Sequence, residues 1–176
     1  ISGQADEPSD LYRRFAQIVR TLKQSSQQSV DDDDVEPDGD YVIDIKDRVV
    51  KFATQNPKGH PIELGMQKFA ETVYGRSNGK IQVKLFPGGV LGGDAPNISA
   101  LQGGTLEMVV MNSGILASQV KEFAIFDFPF MFANAQEADA VVDGPFGRMM
   151  LDKLDAKNIH GLGYWELGFR NITNSK

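Results

Sequence analysis

The chain has 176 residues, 41% apolar and 24% charged, a composition typical of a globular protein with one sizeable domain. It has no cysteine and only two histidines, which excludes a disulfide scaffold, a thiolate metal site and a cysteine nucleophile. The net charge of −6 argues against a nucleic-acid-binding surface, because phosphate contacts need clustered lysine and arginine. No apolar run reaches about 18 residues, so we expect no membrane span.

Charge divides the chain into two parts. Residues 1–50 contain six Lys or Arg and twelve Asp or Glu, whereas residues 51–176 contain twelve of each. The excess of negative charge therefore lies in the first part, and we expect residues 1–48 to form a separate acidic segment. The sequence opens with Ile1 and shows no signal peptide, which predicts a processed or engineered polypeptide.

The acidic segment has two readable features. Residues 11–22 place their apolar side chains on one face, which predicts a helix at about 10–23. The acidic run at 31–40 resembles a calcium loop with Gly39 at its sixth position, but Ile45 then stands where such a loop needs a bidentate Glu. A solvated acidic linker is therefore favoured over a calcium site.

The rest of the chain alternates strand and helix patterns. We predict strands at 49–54, 81–85, 107–111 and 159–167, and helices at 62–74, after a cap at Asp94, at 135–142 and at 145–157. Such alternation implies crossover connections, so the predicted fold is α/β with a largely parallel sheet flanked by helices. Ligands of parallel sheets bind beyond the carboxyl ends of the strands. The candidate positions are therefore 55–60, 88–94, 112–113 and 166–170.

The residues do not predict catalysis. A phosphate-binding loop needs Gly-Lys followed by Ser or Thr, whereas the glycine-rich loop at 88–94 ends in Asp94, so turns with positive φ are favoured. Ser113 lies in no Gly-x-Ser-x-Gly motif, and His60 and His160 are far apart in sequence. His60 fits a ligand contact and a surface loop equally well, and a structural role is favoured for His160. We predict no enzyme activity, no metal and no cofactor.

Aromatic and arginine side chains add two patterns. Five phenylalanines lie within 123–132, and the charges around them, Glu122 and Asp127, are acidic. Core packing is therefore favoured over a nucleic-acid platform, with Phe128 as one wall of a pocket. Arg170 follows an aromatic strand pattern and can present its guanidinium to a ligand carboxylate; the alternative is an ion pair with a neighbouring Glu.

Several stretches together resemble the solute-binding proteins of tripartite ATP-independent periplasmic (TRAP) transporters, of the dicarboxylate type. The stretches are KFAT at 51–54, GHP at 59–61, SNGKI at 77–81, FP at 86–87, LGGD at 91–94, FPFMF at 128–132 and GYWELGFRNITN at 163–174. They follow one another in unbroken order over about residues 50–176, and their order and spacing make the resemblance specific.

The resemblance implies a two-lobed protein that closes around a small organic acid in the periplasm and passes it to the membrane subunits of a transporter. Residues 49–168 would form the first lobe and 169–176 the start of the second. The family's principal carboxylate-binding arginine would follow Lys176, and Arg170 corresponds to a second, supporting one. The ligand-binding residues expected from the strand ends, the aromatic and arginine patterns and the resemblance together are Gln55, Asn56, His60, Asp94, Asn112, Ser113, Phe128, Trp165, Glu166 and Arg170.

Two functions from different classes remain open. In the first, the chain is part of an organic-acid receptor. One Arg–carboxylate hydrogen bond contributes about 1.5–3 kcal/mol and micromolar affinity needs about 8 kcal/mol, so we expect weak or undetectable binding by this chain alone. In the second, the chain is a stand-alone interaction protein that binds no ligand. Either the helix at 10–23 covers the open sheet surface, or the chain pairs with a second copy through an unpaired sheet edge.

Overall fold

The computed structural model describes residues 46–168. The helix predicted at 10–23, the acidic linker, Arg170 and the start of a second lobe at 169–176 lie outside the described residues. Within 46–168, no helix is both long enough and apolar enough to cross a membrane.

A three-stranded parallel sheet forms the centre of the described residues. Its strands are β1 (Arg48–Thr54), β2 (Ile81–Phe86) and β3 (Met108–Val110). Their order is β2-β1-β3, so the first strand in sequence lies in the middle. Phe52 of β1 is level with Leu85 on one side and with Met108 on the other. The prediction of a parallel sheet with flanking helices is confirmed.

Helix α1 (Pro61–Arg76) covers one face of this sheet. Ile62 and Met66 pack against Phe52 of β1, and all three side chains are buried. Partly buried residues surround them: Phe69, Val83, Leu85, Met108 and Val110. We call this group the sheet cluster. The burial of each such side chain contributes about 1.5–3 kcal/mol, so this packing holds the helix against the strands.

The end of α1 agrees with the predicted stop. Asn78 and Gly79 have φ values of 51° and 80°, in the left-handed region that ends helices. The Ser77 hydroxyl donates to the carbonyl oxygen of Tyr74 at 3.1 Å and accepts a hydrogen bond from the Ile81 amide at 3.0 Å. Ser77 therefore ties the last turn of α1 to the first residue of β2.

Helix α2 (Asp94–Gln102) follows the glycine-rich loop, and its N-cap differs from the prediction. Gly93 occupies the cap position, and Asp94 is the first helical residue rather than the cap. Glycine offers no side-chain oxygen to the amides of the first turn. Pro96 in that turn has no amide hydrogen, so one fewer donor needs a partner.

The C-terminal half of the described residues is helical. It contains α3 (Ala135–Val142), α4 (Pro145–Asp152) and three 3-10 helices at Ser113–Ser118, Lys121–Asp127 and Asp155–Lys157. A second hydrophobic core, which we call the C-terminal cluster, is formed by Val120, Phe123, Ile125, Val141, Phe146, Met150, Leu151 and Leu154. The helix predicted at 145–157 is therefore shorter than expected and ends at Asp152.

Two sequence predictions in this half need correction. Residues 159–167 form no strand, and β3 is shorter than the predicted 107–111. A strand requires a neighbour that supplies hydrogen bonds, and no described strand pairs with this segment. The aromatic stretch is only partly core, because Phe123 is fully buried whereas Phe130 is 95% exposed with a left-handed φ of 59°.

Candidate functional site

The loop after β1 and the glycine-rich loop after β2 are joined by hydrogen bonds at the carboxyl edge of the sheet. The Gly88 amide donates to the Asn56 carbonyl at 2.8 Å, and the Gly89 amide donates to the Thr54 carbonyl at 3.0 Å. The Gln55 side-chain amide donates to the Gly92 carbonyl at 2.8 Å. The structure thus brings predicted site residues of the first loop against the second loop.

The glycines of this second loop are required by its geometry. Gly88, Gly89 and Gly92 have φ values of 73°, 70° and 105°, a region that other residues rarely adopt. A Cβ atom on Gly89 would lie 2.6 Å from Oε1 of Gln55, so a larger residue would displace that side chain. The interpretation of these glycines as turns with close backbone approach agrees with the structure.

His60 has a structural contact at the start of α1. Its Nδ1 accepts a hydrogen bond from the Ile62 amide at 3.2 Å, which makes His60 the N-cap. Glu63, three residues later, accepts hydrogen bonds from the Gly59 amide at 3.0 Å and from the Gln67 side chain at 2.7 Å. These bonds lower the pKa of Glu63, with the Gly59 amide as the largest cause, and outweigh the opposing effect of burial.

Asp94 and Asn97 present buried acceptors at the start of α2. The Oδ1 atoms of both residues are inaccessible to solvent and have no hydrogen-bond donor among the described residues. Asn97 is only 1% exposed, and its side-chain nitrogen makes a long contact of 3.5 Å with the Gly92 carbonyl. Buried polar atoms are nearly always hydrogen-bonded, so these two oxygens lack the donor that burial normally requires, and a ligand would reach them only after the loop before α2 moves. The sequence prediction included Asp94 and missed Asn97.

Asn112 and Ser113 follow β3 as predicted. The Asn112 side-chain oxygen accepts a hydrogen bond from the Gly114 amide at 2.9 Å and so caps the first 3-10 helix, in which Ser113 is the first residue. Both residues are half-buried. The hydrogen bond of Asn112 therefore lies within its own turn, and this turn would already be ordered before a ligand binds.

The three remaining described site residues are Phe128, Trp165 and Glu166. Phe128 is 39% exposed, and Glu166 is exposed without a described ion pair. Trp165 is 41% exposed, and its ring meets Phe52 edge-on with centroids 6.1 Å apart. A Cβ on Gly65 of α1 would lie 3.1 Å from the Trp165 ring, so the absence of a side chain there makes room for the indole.

Tyr164, the neighbour of Trp165, points into the C-terminal cluster. Its ring lies 5.6 Å from that of Phe126, and its hydroxyl donates to the Gly147 carbonyl at 3.1 Å. Burial raises the pKa of Tyr164 to about 12, because the charged phenolate would lose its hydration. This residue therefore remains neutral and anchors the segment that carries Trp165.

His160 lies just before this segment. Its Nδ1 is 2.9 Å from a carboxylate oxygen of Asp155, and both side chains are largely exposed. Within residues 46–168, no group of His, Asp or Glu is arranged to hold a metal ion. The described site offers hydrogen-bond acceptors and ordered backbone turns, which suits recognition of a ligand through hydrogen bonds.

Comparisons with known proteins find relatives that match the part of the chain that contains the sheet and the two loops. The family model for bacterial extracellular solute-binding proteins, family 7, covers residues 52–176. The C4-dicarboxylate-binding protein DctB of Bacillus subtilis is 32% identical over 145 residues, 82% of this chain and 40% of DctB.

Two solved structures share the fold. A TRAP periplasmic solute-binding protein of Ochrobactrum anthropi is 55% identical with a TM-score of 0.69, over 71% of this chain and 39% of that one. The sugar-acid-binding protein DctPAm of Advenella mimigardefordensis, in complex with galactonate, is 45% identical with a TM-score of 0.73, over 75% of this chain and 43% of that one.

The chain spans about two fifths of the length of these relatives. The family is one of transport proteins that bind solutes, in agreement with the prediction that the chain is not an enzyme. Because the family model matches most of the chain, the protein belongs to the bacterial extracellular solute-binding proteins of family 7, the solute-binding proteins of TRAP transporters.

Proposed function

We propose that residues 49–168 form the first-lobe wall of a cleft that binds a small hydroxylated organic acid in the periplasm. Residues 169–176 would begin the second lobe, and residues 1–48 would lie outside the lobe. The filled cleft would then deliver the acid to the membrane subunits of a TRAP transporter. Family membership and the ordered loops at the carboxyl edge of the sheet support this proposal.

The observation that carries the proposal is the pair of buried acceptors on Asp94 and Asn97. A ligand carboxylate has no hydrogen to donate, and it would be repelled by the Asp94 carboxylate. A hydroxyl group can donate to either oxygen without a charge conflict. The ligand would therefore turn its hydroxyl groups, not its carboxylate, toward the start of α2. The relative DctPAm binds galactonate, an acid with several hydroxyl groups.

The carboxylate of the ligand would face Arg170, the position that the family resemblance assigns to a supporting arginine. A guanidinium can donate two parallel hydrogen bonds to a carboxylate, which fixes the orientation of the ligand. With the hydroxyl groups held at Asp94 and Asn97, the ligand would span the cleft from one lobe to the other. A cleft that binds hydroxyl groups on one side and a carboxylate on the other favours sugar acids over C4-dicarboxylates as ligands.

The proposal is tested by saturation-transfer NMR, which detects weak binding, with galactonate and succinate as ligands. We expect transfer from the protein to galactonate and a weaker effect for succinate, which has carboxylates and no hydroxyl group. Asp94→Ala should reduce the galactonate signal, because it removes the acceptor and leaves the hydroxyl unpaired. The matched control is Asp152→Ala, at an exposed carboxylate at the end of α4.

The two acids and the two variants separate the outcomes. Equal signals from galactonate and succinate would contradict recognition through hydroxyl groups. A galactonate signal that survives Asp94→Ala would show that the acid binds elsewhere. The absence of any signal with either acid would mean that this chain has no cleft that binds these acids measurably.

A further inference from the structure

The first half of the sheet has one covered face and one open face. Phe52 and Leu85 lie in the sheet cluster beneath α1, and side chains alternate between the two faces along a strand. The residue before each of them therefore points to the opposite face, and these residues are Lys51 in β1 and Lys84 in β2. Both lysines are exposed, as are the residues two positions earlier on the same strands. We call this exposed group the lysine face, and its members are Val49, Lys51, Gln82 and Lys84.

The two lysines are level with each other on adjacent parallel strands. Neighbouring strands are about 4.8 Å apart, so the two side chains leave the same face side by side and their charges repel. The Lys51 ammonium donates to the Thr105 carbonyl at 2.9 Å, which is a neutral acceptor. The Glu107 carboxylate accepts from the backbone amide of Lys51 at 2.8 Å, not from its ammonium. Among the described residues, neither lysine forms an ion pair with a carboxylate.

The chain carries an opposite charge directly before this sheet. Residues 46–86, which contain β1, α1 and β2, include eight Lys or Arg and three Asp or Glu, a net charge of +5. The acidic run at 31–40 includes six Asp and one Glu and no Lys or Arg, a net charge of −7. Only residues 41–45 separate the run from the first described residue. A cationic sheet face and a polyanionic segment are therefore neighbours in the sequence.

We propose that the lysine face is a docking surface for residues 31–40 of the same chain, whose carboxylates pair with Lys51 and Lys84. The charge complementarity and the unpaired lysines support this assignment. The chain from residue 40 to Lys46 can span up to about 20 Å when extended. Lys51 lies about 17 Å along the chain from Lys46, so the acidic run can reach the lysine face by turning back over β1.

The short connection favours this segment over an anionic group from another molecule. Exposed ion pairs are individually weak, so a free acidic peptide would bind the lysine face poorly. A short flexible tether gives a segment an effective concentration in about the millimolar range, which exceeds the micromolar concentration of a second copy in solution. The acidic run of the same chain therefore outcompetes that of a second copy. The inference rests on the charges of the described strands and does not depend on the proposed ligand.

The test is carbodiimide cross-linking of the full 176-residue chain, followed by mass spectrometry. This reagent joins a lysine amine directly to a carboxylate, without a spacer, and so reports ion pairs. We expect links from 31–40 to Lys51 or Lys84, and their loss at about 1 M NaCl, where the Debye length is about 3 Å. Lys68 is exposed on α1, which covers the other face of the sheet, and should form no such link. In an equal mixture of ¹⁴N- and ¹⁵N-labelled protein, the links should join residues of one chain.

A charge-neutralised variant supplies a second measurement. It combines Asp31→Asn, Asp32→Asn, Asp33→Asn and Asp34→Asn. Acetylation of the Lys84 amine should be about two- to fivefold faster in this variant than in the unmodified chain, the size expected when exposed ion pairs are lost. Acetylation of Lys68 should proceed at the same rate in both proteins. Circular dichroism establishes that the variant is folded, and where it is not, cross-linking of the unmodified chain decides.

Four results would overturn the proposal. The first is the absence of links from 31–40 to Lys51 or Lys84. The second is links to Lys68 that are as frequent as those to the lysine face. The third is links between differently labelled chains, which would assign the contact to a second copy. The fourth is a rate of Lys84 acetylation that does not change in the folded charge-neutralised variant.

Discussion

Tyr164 and Trp165 are adjacent in sequence, but their rings pack into different hydrophobic clusters. The Tyr164 ring lies 5.6 Å from that of Phe126, which packs against the C-terminal cluster, and the Trp165 ring lies 6.1 Å from that of Phe52 in the sheet cluster. The single peptide bond between them therefore links the two cores. A segment without helix or strand structure thereby contributes a contact between the helical half and the sheet.

Replacement of Trp165 by alanine should weaken this link. The indole is 41% exposed, so we expect the free energy of unfolding to fall by about 1–3 kcal/mol, less than for a fully buried Trp. Urea denaturation followed by circular dichroism measures the change, because Trp165 is the sole tryptophan and the variant has no indole fluorescence. Leu162→Ala in the same segment is the control: Leu162 is 66% exposed, and its replacement should change stability by less than about 0.5 kcal/mol. Equal effects from the two variants would contradict the link.

Two glycines in helices should respond to alanine in opposite directions. Gly147 of α4 is buried, and a Cβ there would overlap the carbonyl oxygen of Val142. Gly147→Ala should therefore destabilise the protein by about 2–3 kcal/mol, because backbone must move. A Cβ on Gly75 of α1 would meet no atom within 4 Å, so Gly75→Ala should stabilise the helix by about 0.5–1 kcal/mol. Thermal unfolding of both variants checks the sign of each change.

Glu63 should make the protein sensitive to acid. Hydrogen bonds hold its pKa below the usual 4.5 in the folded state, so its contribution to stability is complete above pH 4.5 and is lost as the pH falls through the lowered value. Glu63→Gln should remove this contribution and flatten the acid side of a stability–pH curve. Glu71→Gln, an exposed position on the same helix, should leave the slope unchanged. If the steep fall in stability at acid pH persists in Glu63→Gln, other carboxyl groups must cause that fall.

The chain alone should bind organic acids weakly. A ligand present at 100 times its dissociation constant raises the free energy of unfolding by about 2.7 kcal/mol, which a thermal-shift assay detects. With galactonate or succinate at millimolar concentration we expect no comparable shift, because one arginine and one wall of a cleft supply too few contacts. A clear shift would mean that residues 1–176 complete the cleft by themselves.

The sheet was predictable because its signal is local. The apolar residues of β2 alternate at Ile81, Val83 and Leu85, and this period of two fixes which face meets α1. The same reasoning failed at 159–167, where apolar residues and glycines resemble a strand but no neighbouring strand supplies hydrogen bonds within the described part of the chain. Strand pairing depends on distant parts of the chain, and the periodicity of a segment carries no information about them.

The candidate site was predicted in part for a similar reason. The rule that ligands bind beyond the carboxyl ends of strands located the loops, which Gln55 and Gly92 then join. Asn97 lies one turn inside α2, and its burial results from tertiary packing. Trp165 meets Gly65 across a separation of a hundred residues, and nothing in the local sequence of either residue indicates this contact.

The central position of β1 has a consequence for synthesis on the ribosome. Once residue 86 has emerged, the nascent chain contains β1, α1 and β2, which can pair and pack before β3 exists. Until residue 110 follows, the edge of β1 that faces β3 is open, and the buried residues Phe52 and Ala53 stand at that edge. In the interval between these two points of translation, this apolar edge of the growing chain is therefore unpaired and open to aggregation.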